Sequence, residues 1–101
     1  MLEGKELDAA IASRPYEKVT KDSIEARIVK EDFIVLPDST VTLCSLTMKN
    51  GYSVRGESAC VDPRNFNLDI GKSLARQDAF RKLWPLEGYL LAERRFEQEN
   101  V

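Results

Sequence analysis

Residues 41–59 read VTLCSLTMKNGYSVRGESA, two runs of β-prone residues on either side of Asn50-Gly51. Asn-Gly is the strongest short-range hairpin signal, because both residues tolerate positive φ. The register follows from the loop length. A two-residue loop would set Lys49 opposite Tyr52, Leu46 opposite Arg55 and Cys44 opposite Glu57, so that each face mixes apolar with charged residues. A three-residue loop, Lys49-Asn50-Gly51, makes a type I turn followed by Gly51 as a left-handed bulge residue. Met48 then pairs with Tyr52, Leu46 with Val54 and Cys44 with Gly56, and one face is wholly apolar. The other face carries Leu43, Ser45, Thr47, Ser53, Arg55 and Glu57. A slip of one residue moves every side chain across the sheet, so the segregated register is the one expected.

Downstream, Asp62-Pro63 opens a turn, and Asn65 or Asn67 can cap a helix carrying Leu68, Ile70, Leu74, Ala75, Ala79, Phe80, Leu83 and Trp84. Apolar residues cover much of that helix's circumference, which predicts contact on two sides, with the hairpin and with a neighbouring helix or second subunit. Pro85 is expected to break or kink the helix after Trp84 and to restart it with proline at the first position, with Leu86, Leu90 and Phe96 facing inward. The charged end AERRFEQENV reads as a solvated face or frayed tail.

Upstream, FIVLPDST (residues 33–40) reads as a short extended segment stopped by Pro37 and turned by Asp38. Before it, Thr20 offers a cap oxygen, Asp22 and Glu25 place negative charge in a first turn, and Ile24 and Ile28 recur at i and i+4. These signals predict a helix ending near Lys30. A further short helix is expected over Glu3 to Ser13, stopped by Pro15, with residues 1–19 the loosest part of the chain. The fold class is therefore α+β: one hairpin packed on a long, Pro-kinked C-terminal helix, with one or two short N-terminal helices, in a single domain over residues 1–101.

Composition narrows the function. A chain of 101 residues buries roughly 60–65% of its unfolded surface, enough for one modest core, and assistance from a second copy is expected. Apolar residues make up 43% and charged residues 32%, a globular balance. The net charge of −2 and a pI near 5.2 argue against sequence-independent nucleic-acid binding, which needs a basic excess to neutralise phosphates. No signal-peptide pattern and no run of 18 apolar residues occurs, so the expected location is the cytoplasm, without a membrane. In that reducing compartment Cys44 and Cys60 read as free thiols acting as small hydrophobes.

The chain has no histidine, which removes the commonest general base, the commonest metal ligand and every Ser-His triad. No metal or other cofactor is expected, since two cysteines sixteen residues apart do not make a standard zinc site. IGKSLA (residues 70–75) imitates the end of a phosphate-binding loop, but the required earlier glycine is Phe66 and no strand feeds into it. Gly71 is better explained by a close approach of helix backbone to sheet. Cys60 sits ahead of a helix beside Arg64, where a thiolate could be stabilised, but a structural thiol is the simpler reading. Arg55, Arg64, Lys72 and Arg76 flank the hairpin exit and the first turns of the long helix, an arrangement able to hold an anion. The alternative is a solvated rim with ion pairs to Glu57, Asp62 and Asp69. Lys72 and Arg76 share a helix face at i and i+4.

Residues 43–91 also carry a resemblance. Met48-Lys49-Asn50-Gly51, GESACVDPRNF at Gly56 to Phe66, a small-residue frame at Ile70, Gly71, Ala75 and Ala79, and WPLEGYLL at Trp84 to Leu91 are similar to the hallmark region of a family of small phage proteins. That family is catalogued after the gene 49 product of one tailed phage and the gene 66 product of another. The resemblance implies a phage or prophage origin and an accessory role in the bacterial cytoplasm, and it supplies no catalytic residue. A non-enzymatic protein of this kind is expected to bind a host factor and modulate or block it, in host takeover or anti-defence, as a homo-oligomer. Its interface candidates are Tyr52, Arg55 and Glu57 at the hairpin end and Trp84 to Tyr89 at the kink. The alternative is sequestration of a small anionic ligand such as a nucleotide signal at an oligomer interface, held by Arg55, Arg64, Lys72 and Arg76 with Tyr52 or Phe66 as platform.

Overall fold

The computed structural model describes residues 1–14 and 16–100, so the helix stop expected at Pro15 lies outside the described residues. In chain order the elements are α1 (Gly4–Ala12), α2 (Lys21–Glu25), β1 (Ile28–Val35), β2 (Val41–Met48), β3 (Ser53–Ala59), a 3₁₀ turn (Pro63–Asn65), α3 (Leu68–Arg81) and α4 (Leu83–Glu99). The three strands form an antiparallel sheet in the order β1-β2-β3, and α3 lies across β2 and β3 on one face. The fold is α+β, a hairpin-based sheet packed on a long, bent C-terminal helical segment.

The hairpin adopts the three-residue loop. Leu46 pairs with Val54 and Cys44 with Gly56, Met48 N–H donates to the Tyr52 carbonyl at 2.8 Å, and Gly51 has φ +89°. The Asn50 side chain accepts from Tyr52 N–H, fixing the turn from inside. Thr42, Cys44, Leu46 and Met48 alternate inward along β2 and are buried beneath α3. With Ile24, Val54, Ala75, Ala79, Phe80 and Leu83 the apolar members of that row make the core.

The strand β1 corrects the reading upstream. The helix begins where the sequence places it, with Thr20 and Ser23 forming a reciprocal cap, but α2 ends at Glu25. Ile28 and Lys30 belong to β1, which extends the FIVLPDST segment back to Ile28 and adds a third strand. A bulge at Val29 turns Ile28 toward Met48 and the core while Val29 stays exposed. At the far end Asp38 takes φ +55° in the turn after Pro37, a conformation Asp tolerates.

Asn67 is the residue that caps α3, accepting from Ile70 N–H at 3.1 Å. The inward stripe of α3 is narrower than its composition predicts: Gly71, Ala75, Ala79 and Phe80 are buried, whereas Leu68, Ile70 and Leu74 are exposed. Small residues win because the helix sits directly on the sheet backbone. A Cβ on Gly56 would stand 2.2 Å from the Ala79 nitrogen and 2.4 Å from the Ala75 carbonyl oxygen. On Gly71 it would meet Thr42 Oγ1 at 2.7 Å, the close approach expected of that glycine.

The bend falls at Lys82, three residues before Pro85, so Pro85 is the third residue of α4 and does not open it. A proline lacks the N–H that would bond the carbonyl four residues earlier, and its ring crowds that carbonyl, here Arg81's. Leu83 and Glu87 are the buried residues of α4, while Leu86 and Phe96 face outward. Glu87 accepts from Arg27 Nε at 3.0 Å, tying α4 to the start of β1. No helix is long and apolar enough to cross a membrane among the described residues.

Candidate functional site

The turn chemistry of Lys49-Asn50-Gly51 carries Tyr52 to the outer end of the hairpin, and the bend at Lys82 directs α4 past it. Between them lies a groove of about 290 Å³ floored by Met48 and Leu83 and walled by Tyr52, Leu86, Tyr89 and Leu90. A second hollow of about 320 Å³ shares Tyr52 and Leu86 and is bounded by Arg55, Lys82 and Pro85. Tyr52 and Tyr89 are 58% and 75% exposed, so both rings are presented to solvent while their neighbours Met48 and Leu83 belong to the core. The result is a largely apolar groove lined by two exposed tyrosines, with Asn50 and the Glu87 carboxylate also in its lining and Arg55 and Lys82 in the adjoining hollow.

The interface candidates separate. Tyr52 and Tyr89 both line the groove, and Arg55 borders its continuation. Trp84 lies on another side of α4, edge-on to Phe80 with ring centroids 6.3 Å apart, in a cleft of about 370 Å³ that also holds Lys21, Gln77 and Arg81. Glu57 is on β3, where its backbone N–H donates to Asp78 and its side chain faces away from α3.

The four cations proposed for an anion site also separate. Lys72 and Arg76 share one face of α3 as their spacing requires, and both reach β1. Lys72 lies 5.5 Å from the Phe33 ring centroid. Arg76 makes a two-point contact with Glu25 at 2.8 and 2.9 Å, bonds Glu31 at 2.9 Å and stacks over Phe80. These hydrogen bonds to Glu25 and Glu31 raise the Arg76 pKa further, and the same contact holds Glu25 below its ordinary value. Arg64 folds back on Asp62, the hydrogen bond from its guanidinium lowering the Asp62 pKa. Arg55 projects from the uncovered face of the sheet and donates to Ser53. Arg76 is thus a clamp among α2, β1 and α3.

Both cysteines are free. Cys44 is fully buried, and burial pushes its thiol above the ordinary range. Cys60 is half-buried and donates to the Asp62 carbonyl at 3.1 Å. Sequence reasoning missed Lys82 and Asn50 as surface-forming residues and turned Leu86 inward although it lies within the kink candidate, and it missed Asp78, whose carboxylate receives Glu57 N–H at 3.0 Å. Only the Pro85 break, placed correctly at the carbonyl four residues upstream, would have set Lys82 at the corner.

This geometry defines a class: a small α+β protein with a tyrosine-lined groove at the hairpin tip. Residues 19–95 match the Phage protein (N4 Gp49/phage Sf6 gene 66) family, and the chain belongs to that family. It is a phage-encoded protein. No curated protein and no solved structure matches it.

Proposed function

We propose that the protein acts by occupancy, binding a host factor through the groove between Tyr52 and Tyr89 and modulating or inhibiting it in host takeover or defence evasion. The observation that carries this reading is the pairing of two exposed tyrosines over an apolar floor. Tyrosine supplies contact area at low conformational cost and is enriched among the residues that dominate interfaces. Arg55 and Lys82 at one end add directional contacts for an acidic or carbonyl-rich partner. Sequestration of an anion by Arg55, Arg64, Lys72 and Arg76 has less support, because Arg64 and Arg76 already hold carboxylates.

The test is affinity capture from the bacterial host with three forms: wild type, Tyr52→Ser combined with Tyr89→Ser, and Phe96→Ser as a surface control on the same helix. A single host protein retained by wild type and Phe96→Ser and lost from the double variant is the expected result. Equal retention by all three forms, or retention by none, overturns the proposal.

A further inference from the structure

A three-stranded sheet has two edges, and here they are treated differently. The outer edge of β3 is closed by α3 and the bend: Glu57 N–H donates to Asp78 Oδ2, and the Arg55 carbonyl accepts from Lys82 Nζ. Those are two successive outward-facing backbone groups, each capped by a side chain. The edge of β1 has no such cover. Leu36 N–H donates to the Val41 carbonyl, so the even-numbered residues of β1 bond to β2, and Glu31, Phe33 and Val35 turn their backbone groups outward. Among the described residues no hydrogen bond occupies them. α3 packs over β2 and β3 and leaves the outer side of β1 open. Apolar side chains stand exposed along this edge, Val29 at 60% and Ile34 at 59%. An uncovered edge with exposed apolar residues is a template for another strand.

We propose that β1 pairs antiparallel with β1 of a second copy of this chain, about a twofold axis at Glu31, to make one continuous six-stranded sheet. The charge pattern of the strand commits it to this occupant and register. Outward-facing residues must oppose outward-facing residues, so the axis can pass only through a position such as Glu31, Asp32 or Phe33. An axis at Asp32 sets that carboxylate against its own copy, and one at Phe33 sets Asp32 against Ile34. The axis at Glu31 sets Lys30 opposite Asp32 of the partner subunit, and Asp32 opposite the partner subunit's Lys30. These are non-hydrogen-bonded pairs, in which side chains approach most closely. Lys30 and Asp32 already lie 3.6 Å apart on one face of the strand, so the seam gathers four charges of alternating sign. Glu31 opposes its own copy, but each carboxylate is held by Arg76 of its own chain at 2.9 Å. A twofold, self-complementary edge of this kind closes on itself and leaves no free copy of β1. It uses none of the groove residues, so it stands or falls independently of the host-factor reading.

Light scattering on the eluting 101-residue chain at micromolar concentration reads the subunit number directly. Wild type is expected as a dimer. Asp32→Lys puts lysines opposite one another twice across the seam and should weaken association roughly tenfold or more. Adding Lys30→Asp to it restores opposite charges in the same register and should restore the dimer. Both positions are solvent-exposed, and circular dichroism verifies that the variants remain folded. A monomeric wild type, a dimer indifferent to Asp32→Lys, or a doubly exchanged chain that stays monomeric each overturns the proposal.

Discussion

A methyl group added to Gly56 would enter the backbone of α3, 2.2 Å from the Ala79 nitrogen, and neither strand nor helix backbone can give way as a flexible side chain would. Gly56→Ala should therefore lift the helix from the sheet and cost about 3 kcal/mol, read as a lowered denaturant midpoint. Gly88 supplies the contrast. It lies inside α4, and a methyl group there would meet nothing within 4 Å, so Gly88→Ala should stabilise by about 0.5–1 kcal/mol through helix propensity alone. Equal effects from the two substitutions would refute the close-packing account. The same seam contains a third testable residue. Thr42 is fully buried under Gly71, and its Oγ1 has no hydrogen-bond partner among the described residues. A buried hydroxyl left unpaired is a cost that an isosteric methyl removes. Thr42→Val should thus raise stability by about 1 kcal/mol, and a loss of similar size would mean that the hydroxyl has a partner in solution. The small residues at Gly56, Gly71, Ala75 and Ala79 together let α3 lie against the sheet backbone.

Arg76 joins three elements, and its protonation chemistry predicts how their packing responds to acid. Its hydrogen bonds hold Glu25 below the ordinary carboxylate value of 4.5, so the folded state binds that proton less readily than the unfolded chain does. A depressed carboxylate contributes stability above the unfolded pKa and loses it as pH falls through the folded one. Asp78, held low by the backbone N–H of Glu57 and by Arg81, has the same sign. The melting temperature should be flat from neutral pH to about 5 and fall below the usual carboxylate range near 4. Arg76→Gln should melt lower at neutral pH, decline less steeply, and converge with wild type in acid. Parallel curves would show that Arg76 acts by packing on Phe80 rather than through its carboxylates. This clamp was invisible in the sequence, because the strand that supplies Glu31 was half hidden. Ile24 and Ile28 sit at helical spacing and Lys30, Glu31 and Asp32 have little β preference, so local signals favoured a helix that pairing with β2 overrides. The hairpin was legible because only one register separates apolar from polar residues. The Asn67 cap and the kink were legible in kind, but the proline's effect was placed at its own position instead of at the Arg81 carbonyl. Of the candidate site, Tyr52 and Tyr89 were visible as exposed aromatics, while their lining of one groove depends on the direction of α4 after Lys82.

The molecule is extended for its size, with a radius of gyration of 17.3 Å and extents of 55 × 35 × 17 Å, whereas a compact chain of this length would have a radius near 13 Å. The reasons lie in what covers what. One face of the sheet is packed and the other is open, α4 runs seventeen residues but buries only Leu83 and Glu87, and α1 buries nothing. Leu2, Leu7 and Ile11 of the N-terminal segment are exposed, and the ion pair from Glu17 to Arg94 spans 3.6 Å between two well-solvated side chains. Such pairs contribute about 0–1 kcal/mol. Val19 is the first residue packed against the core, and the family match also begins at residue 19. Cooperative stability should therefore reside in the segment from Val19 onward. Deleting residues 1–18 is expected to leave the denaturant midpoint and its slope nearly unchanged, within about 0.5 kcal/mol, since exposed segments contribute little to the folded state. The slope matters as much as the midpoint, because it scales with the surface exposed on unfolding, and a segment already exposed adds almost none. A loss of about 2 kcal/mol or a clearly smaller slope would show that α1 is buried in solution, and its apolar residues would then have to be counted in the core.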